Sequence, residues 1–377
     1  MKKVEFKKVF DIKSFKIKDI ANTLFFVTII LVAFGVVMVY SASNYSAQVL
    51  YDNDKFFMTK QIIGAVLGFF AMIFMSMIDY HKLEKFKNVF LIVSIILLAA
   101  VFIPGIGFSN NGATRWIKLP GFTIQPSEIA KIAFVIWSSS YLSKNYQNIK
   151  TFKGIFPVLF VGGTYCALII LEPNMSITIC MALTMVIMLF IGGMRAKHFT
   201  LIGGAGALAV PALIIAEPYR LKRLTAFLNP WLNPKGEGYQ IIQSLYGIGA
   251  GGLFGVGLFC SRQKYMFLPF AESDFIFSII AEELGLFGCL CIILLFAILI
   301  FQGIKIAINA PDRFGAYLST GITAIIATQV LINIAVVSSS IPPTGVPLPF
   351  ISAGSTSLVV FMCAIGVVLN INKQRKT

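Results

Sequence analysis

Apolar and polar positions alternate along this chain on a scale of about twenty residues. Ten mostly apolar runs stand out, at about 22–42, 57–78, 88–104, 126–143, 154–171, 174–193, 199–216, 275–303, 315–338 and 354–371. A helix of about 20 apolar residues spans the hydrocarbon core of a bilayer, so each run is predicted to be a membrane-spanning helix. The fold class that follows is an all-α polytopic membrane protein of ten transmembrane helices in one bundle, residues 22–371. Most connections are short. The exception is the stretch of about 57 residues at 217–273, between spans seven and eight, and loops of that length are usually functional or disordered. Inside it Tyr239, Ile242, Leu245 and Tyr246 recur at helical spacing, which predicts a surface-lying or re-entrant helix. Pro126 suits the first turn of span four, with Gln125 or Ser127 near the cap. The segment from Ile341 to Ser357 holds four of the 15 prolines and no charge. It is expected to be non-helical and buried against protein.

Composition strengthens the membrane reading and charge orients it. The 377 residues are 57% hydrophobic and only 12% charged, against about 25% charged in soluble domains. Residues 1–21 carry seven lysines with no small-residue cleavage site after a short apolar core, so the first span reads as an uncleaved signal anchor behind a basic cytoplasmic tail. That tail, with Val4, Phe6, Val9 and Phe10 among its lysines, is either an interfacial helix or disordered. Alternating sides from a cytoplasmic N-terminus puts 20 of the 31 Lys and Arg inside. Both termini are then cytoplasmic, including the short tail 372–377. The net charge of +15 follows from this bias and from attraction to anionic lipid, which leaves no call for nucleic acid. Five of the six cysteines fall in spans, so no disulfide framework is readable. His81 and His198 both map to the cytoplasmic side, which excludes a histidine base or His-ligated metal from the outer face.

The chemistry concentrates where the long loop meets span eight. Asp274 is the last charged residue before the apolar run, which places its carboxylate at a membrane surface, half shielded from water. Glu272 lies just before it. Glu282 and Glu283 lie deeper, Glu282 about 12 Å below Asp274 at 1.5 Å per helical residue, and need partners, protonation or a wet cavity. Glu128 and Lys131, three apart on one helix face, are expected to pair inside the bundle. A structural pair and a role in shaping a substrate cavity both fit. Glu172 sits at the tip of the tight turn Leu171-Glu172-Pro173-Asn174. Arg115, Arg220, Arg223, Arg262 and Lys264 complete an outer inventory suited to an anionic, lipid-linked substrate. Arginine forks grip a diphosphate and a carboxylate takes a proton from a sugar hydroxyl. Trp116 reads as an interface anchor or, beside Arg115, a ligand platform. The run Gly247-Ile-Gly249-Ala-Gly-Gly252 formally matches GxGxxG, but no strand precedes it, so close backbone packing or a hinge is the better account. No internal repeat is found, which weakens an alternating-access transporter.

Several motifs carry a resemblance. They are Val-Tyr40-Ser-Ala-Ser, Asn-Gly-Ala-Thr-Arg115-Trp116-Ile, Gln125-Pro-Ser-Glu128-Ile-Ala-Lys131, Arg220-Leu-Lys-Arg223 through Pro230-Trp231, Gly238-Tyr-Gln240-Ile-Ile-Gln243-Ser, Gly255-Val-Gly-Leu, Ser261-Arg-Gln-Lys264, Asp274-Phe-Ile-Phe, Glu282-Glu283-Leu-Gly285, and Pro343-Thr-Gly-Val-Pro-Leu-Pro-Phe-Ile-Ser352-Ala-Gly-Ser355. With them the chain from Thr23 onward resembles the SEDS family of FtsW, RodA and SpoVE. The Ser-Arg-Gln-Lys run is more like FtsW and SpoVE. The resemblance implies a peptidoglycan glycosyltransferase of the bacterial cytoplasmic membrane. It would polymerise lipid II on undecaprenyl-diphosphate-linked glycan, beside a class B penicillin-binding protein and divisome or sporulation proteins. Asp274 would be the required carboxylate. Trp116, Glu272, Ser352 and Ser355 join the basic residues as substrate-binding candidates, with Glu128, Lys131, Glu282 and Glu283 in the bundle cavity. No cofactor is required by this reading, and a divalent cation, Mg or Mn, is left open. The family commonly has Pro-Glu-x-His-Thr-Asp where this chain has Pro269-Phe-Ala-Glu272-Ser-Asp274, and Gln-Pro-Asp where it has Glu172-Pro173-Asn174. A lipid-linked-precursor flippase and a non-enzymatic division scaffold are the rival readings.

Overall fold

A computed structural model describes residues 17–110, 113–119 and 122–375. The first 16 residues of the basic tail, with the interfacial helix expected there, lie outside the described residues. Each apolar run folds as a helix, since in lipid a helix satisfies every backbone polar group within its own segment. These are α1 (Ile17–Tyr51), α2 (Phe56–Met77), α4 (Lys87–Ala100), α5 (Pro126–Lys144), α6 (Phe152–Leu171), α7 (Met175–Ile191), α8 (Ala196–Ile215), α11 (Ile276–Ile308), α12 (Arg313–Val337) and α13 (Ser355–Lys373). Seven of them are long and apolar enough to cross a membrane, α4 and α7 are shorter apolar helices, and α5 is too polar to qualify. The chain is a multi-pass, mainly helical membrane protein.

Three more helices lie between them: α3 (His81–Lys85), α9 (Pro218–Leu228) and α10 (Tyr239–Gly251). The long loop is therefore ordered, and α10 begins where the periodic aromatic pattern begins. Pro126 opens α5 and Pro218 opens α9, positions where a missing N–H leaves no bond unmade. Thr151, Asn174 and Asp312 cap α6, α7 and α12 with side-chain oxygens.

One element was not expected. Between α4 and α5 the chain forms an antiparallel sheet of β1 (Gly107–Asn110), β2 (Ala113–Leu119) and β3 (Phe122–Ile124) in the order β1-β2-β3. Ile117 pairs with both Gly107 and Ile124. β2 carries Arg115 and Trp116 across the end of the bundle where α5, α11 and α13 begin.

The glycine-rich run at the end of α10 and just after it packs directly on α11, which is the first of the two accounts the sequence offered, close backbone packing or a hinge. A Cβ on Gly251 would stand 1.9 Å from the Ala281 carbonyl oxygen. α11 itself breaks at Gly285, which has φ 66° and ψ −164°. Chain 252–257 is spliced into the break. Val256 and Gly257 donate to the carbonyls of Glu282 and Glu283 (2.9 and 3.0 Å), while Leu286 and Phe287 donate to those of Gly252 and Leu253 (2.9 and 3.2 Å). Backbone groups freed by the break thus find partners inside protein, as membrane depth demands.

Candidate active site

Asp274 stands two residues ahead of α11, on a short stretch strapped to the proline-rich segment between α12 and α13. Asn333 Nδ2 donates to the Asp274 carbonyl (2.8 Å) and to that of Val346 (2.7 Å). Ser352 Oγ donates to the Ser273 carbonyl (2.6 Å) and accepts from the Leu348 amide (2.8 Å), and the Ala353 amide donates to the Glu272 carbonyl (2.9 Å). Gln61 of α2 secures the far side of this strap through the Ser352 carbonyl (3.1 Å) and the Gly354 amide (3.2 Å). Gly345 completes the seat. A Cβ there would lie 2.8 Å from Asp274 Oδ2, so a side chain at this position would push the carboxylate off this backbone. The Gly345 amide in turn donates to Ser176 Oγ at the start of α7 (3.1 Å).

Two guanidinium groups reach this carboxylate's surroundings from separate elements. Arg115 on β2 donates through Nε to the Glu172 carbonyl (3.2 Å) and through Nη2 to the Pro173 carbonyl, so it lies on the turn between α6 and α7. Arg223 on α9 donates to the Pro343 carbonyl (3.1 Å) and stacks over the Tyr219 ring at 4.6 Å. Burial pushes the Asp274 carboxyl up to about 6, against the downward pull of Arg115 and Arg223 and with a further upward push from Glu272. Burial also raises Glu272. Arg115 is lowered from its usual value, by burial first and then by Arg223. A carboxyl poised near 6 is mostly ionised at neutral pH yet basic enough to accept a proton, and the arginines beside it suit an anion.

Other residues singled out in the sequence have other work in the structure. Lys264 is buried; it pairs with Glu283 at 3.5 Å and also donates to the Phe259 carbonyl, so its ammonium is already committed and it does not stand among the cations acting on Asp274. Glu283 further accepts from Ser41 Oγ (2.6 and 2.8 Å) and the Ser261 amide (3.2 Å). Glu282 accepts from Ser261 Oγ and from the amides of Arg262 (2.9 Å) and Gln263 (3.3 Å). These two glutamates therefore anchor the chain at 261–263 to α11, and Glu282 also borders a cleft. Arg262 is exposed on a separate cleft with Val256, Cys260 and Glu282. Arg220 donates to the Leu213 carbonyl at the corner of α8 and α9 (2.9 Å). Ser352 holds the strap, Ser355 opens α13 against Gly64, and Trp116 pairs across the sheet with Phe108. Glu128 and Lys131 do pair, at 2.8 Å, and are fully enclosed: Ser357 donates to Glu128 (2.9 Å) and Lys131 to Gln329 (3.0 Å).

Sequence reasoning passed over Asn333, Gln61, Ser176 and Gly345. An Asn in the middle of an apolar run was a readable signal, because polar side chains at membrane depth are rare and placed for a reason. Among the described residues no group of three or more His, Cys, Asp and Glu side chains is arranged to hold a metal ion.

A family model described as a cell cycle protein, FtsW/RodA/SpoVE, matches residues 21–377. The chain belongs to the FtsW/RodA/SpoVE family. It is 42% identical over 351 residues to stage V sporulation protein E of Bacillus subtilis (strain 168), covering 93% of this chain and 96% of that protein. It is 38% identical over 352 residues to a probable peptidoglycan glycosyltransferase FtsW of Geobacter sp. (strain M18), covering 92% and 95%. Among solved structures, it is similar to a family chain from a peptidoglycan synthase complex that coordinates polymerization and crosslinking, with 25% identity and TM-score 0.78 over 94% of this chain and 98% of that one. The rod shape determining protein RodA of Thermus thermophilus shares the fold, with TM-score 0.67 at 21% identity over 94% and 97% of the two chains.

Proposed function

We propose that this chain is a peptidoglycan glycosyltransferase that polymerises lipid II at the outer face of the bacterial cytoplasmic membrane, with both termini cytoplasmic. The observation that carries the reading is the Asp274 carboxyl, seated on Gly345, raised to about 6 and flanked by Arg115 and Arg223. Family membership supplies the substrate class.

In this reading Asp274 takes the proton from the 4-hydroxyl of the lipid II GlcNAc as that oxygen bonds to C1 of the MurNAc at the growing strand's reducing end. The C1–oxygen bond to diphosphate breaks with inversion, and its electron pair leaves on undecaprenyl diphosphate. Arg115 and Arg223 stabilise the charge that gathers there. A divalent cation would enter with the diphosphate, since Mg²⁺ is commonly held by one or two carboxylates plus substrate phosphates; EDTA inhibition reversed by Mg or Mn would reveal it. The relative from a synthase complex supports a class B penicillin-binding protein as partner for crosslinking. Likeness to both stage V sporulation protein E and FtsW supports service in division or sporulation.

The test is polymerisation of lipid II by the purified protein with its transpeptidase partner. Asp274→Asn is expected to abolish glycan strands while lipid II binding persists, and wild-type activity should rise with pH through about 6 as the base ionises. Strand synthesis by Asp274→Asn at the wild-type rate would sink the mechanism. Movement of lipid II across liposomes without polymer would support the flippase instead.

A further inference from the structure

Glu172 is a buried acid with nothing attached to it. Its side chain is fully enclosed in the turn between α6 and α7, and neither carboxyl oxygen has a hydrogen-bond partner. An isolated buried carboxylate is costly, and a buried polar group without a partner normally has a reason. Here the reason lies next door. Arg115 is bonded to the backbone carbonyls of this same turn, at Glu172 and Pro173. The Arg115 guanidinium pulls the Glu172 carboxyl downward, and it feels Asp274 first and then Glu172 in return.

The other elements round the turn leave that relation undisturbed. α5 brings Glu128 and Lys131, which are paired with each other, and its remaining charge, Lys144, sits in its last turn and pairs with Glu84. α7, α12 past Arg313, and the segment 338–354 bring no charged side chain. Arg223 and Tyr219 from α9, and Glu272 with Asp274 ahead of α11, act on Arg115 or on Asp274.

We propose that Glu172 is a positioning residue that acts through Arg115: protonated, it leaves the guanidinium free to serve Asp274 and the substrate diphosphate, and on losing its proton it draws that charge to itself. The inference rests on the function proposed above. Burial pushes the Glu172 carboxyl up to about 8, with Arg115 pulling the other way, so the change falls within a working pH range. In the ionised state the diphosphate site gains a negative neighbour and loses part of the Arg115 charge that would hold the leaving group, which weakens binding and lowers turnover.

The experiment compares the pH profile of lipid II polymerisation by wild type and Glu172→Gln in the full complex. It also measures binding of undecaprenyl diphosphate to each protein in nanodiscs. For wild type, activity and affinity are expected to fall about tenfold between pH 7 and pH 9, as a group titrating near 8 dictates, with the loss in affinity seen as a rise in KM. Glu172→Gln should hold its activity and affinity across that range and keep the acid limb set by Asp274. Glu172→Met, similar in volume, serves if the first variant folds poorly and should show the same flat profile. Identical alkaline limbs in wild type and either variant would overturn the proposal while leaving the function standing. A wild type that makes no polymer, or an active Asp274→Asn, would instead remove the function on which it rests.

Discussion

Asp274 illustrates how little of a carboxyl's character belongs to the carboxyl itself. Its raised proton affinity comes from enclosure, its partial return toward ionisation from Arg115 and Arg223, and its position from a neighbour without a side chain. Gly345→Ala would force a methyl group to within 2.8 Å of Oδ2, displacing either the carboxylate or the strap. Misplacement on this scale is expected to lower kcat about 10- to 100-fold with a smaller change in KM, measured in the same polymerisation assay, while the melting temperature stays near wild type. The place of Asp274 just ahead of α11 was legible in the sequence, because it is the last charged residue before the apolar run begins. Arg115 and Arg223 could be named as cations but not told apart from Arg220, Arg262 and Lys264. Charge alone does not reveal which carboxylate will claim which cation, and Lys264 is claimed by Glu283.

At the scale of elements, the break in α11 and the segment spliced into it work as one piece. Glu283 is the pin: it ties Ser41 of α1, the Ser261 amide and Lys264 to a single buried carboxylate. Removing one partner of a buried ion pair leaves the other charge stranded, which destabilises by roughly 3–5 kcal/mol. Glu283→Ala is therefore expected to lower the melting temperature in detergent and open residues 253–270 to proteolysis, both measurable without substrate. The ten apolar runs translated directly into helices because period and length carry that information. The sheet did not, although Asn111-Gly112 between two short extended runs is a strong hairpin signal. Strands of four, seven and three residues hold too few alternations to stand out beside membrane helices. The break at Gly285 was hidden for a different reason. A glycine inside an apolar run is common, and only the chain inserted from 252–257 gives it meaning.

The whole molecule is fastened at both ends. At the end opposite Asp274, Asp312 caps α12 through the Gly315 amide (2.9 Å), accepts from Tyr80 Oη (2.7 Å) and faces His81 Nε2 (3.1 Å). Tyr80 also donates its amide to Asn370 Oδ1 in α13 (3.1 Å), so one carboxylate helps hold the α2–α3 connection, α12 and α13 in register. Asp312→Ala removes a helix cap and strands a buried phenol, an expected loss of about 1–3 kcal/mol. Thermal unfolding should show that loss, while polymerisation at a permissive temperature continues because no group near Asp274 is touched.

α5 ties the two ends together, and its polarity has a consequence for how the protein is made. Its buried Lys131 and Glu128 are satisfied by Gln329 and Ser357, residues 198 and 229 positions further along the chain. At a ribosomal pace of about 5–20 residues per second, those partners emerge roughly 10–45 seconds after α5 itself. During that interval the nascent helix carries an ammonium and a carboxylate with only each other for company. It must wait beside the insertion machinery or at the lipid boundary until the last two helices arrive to close around it.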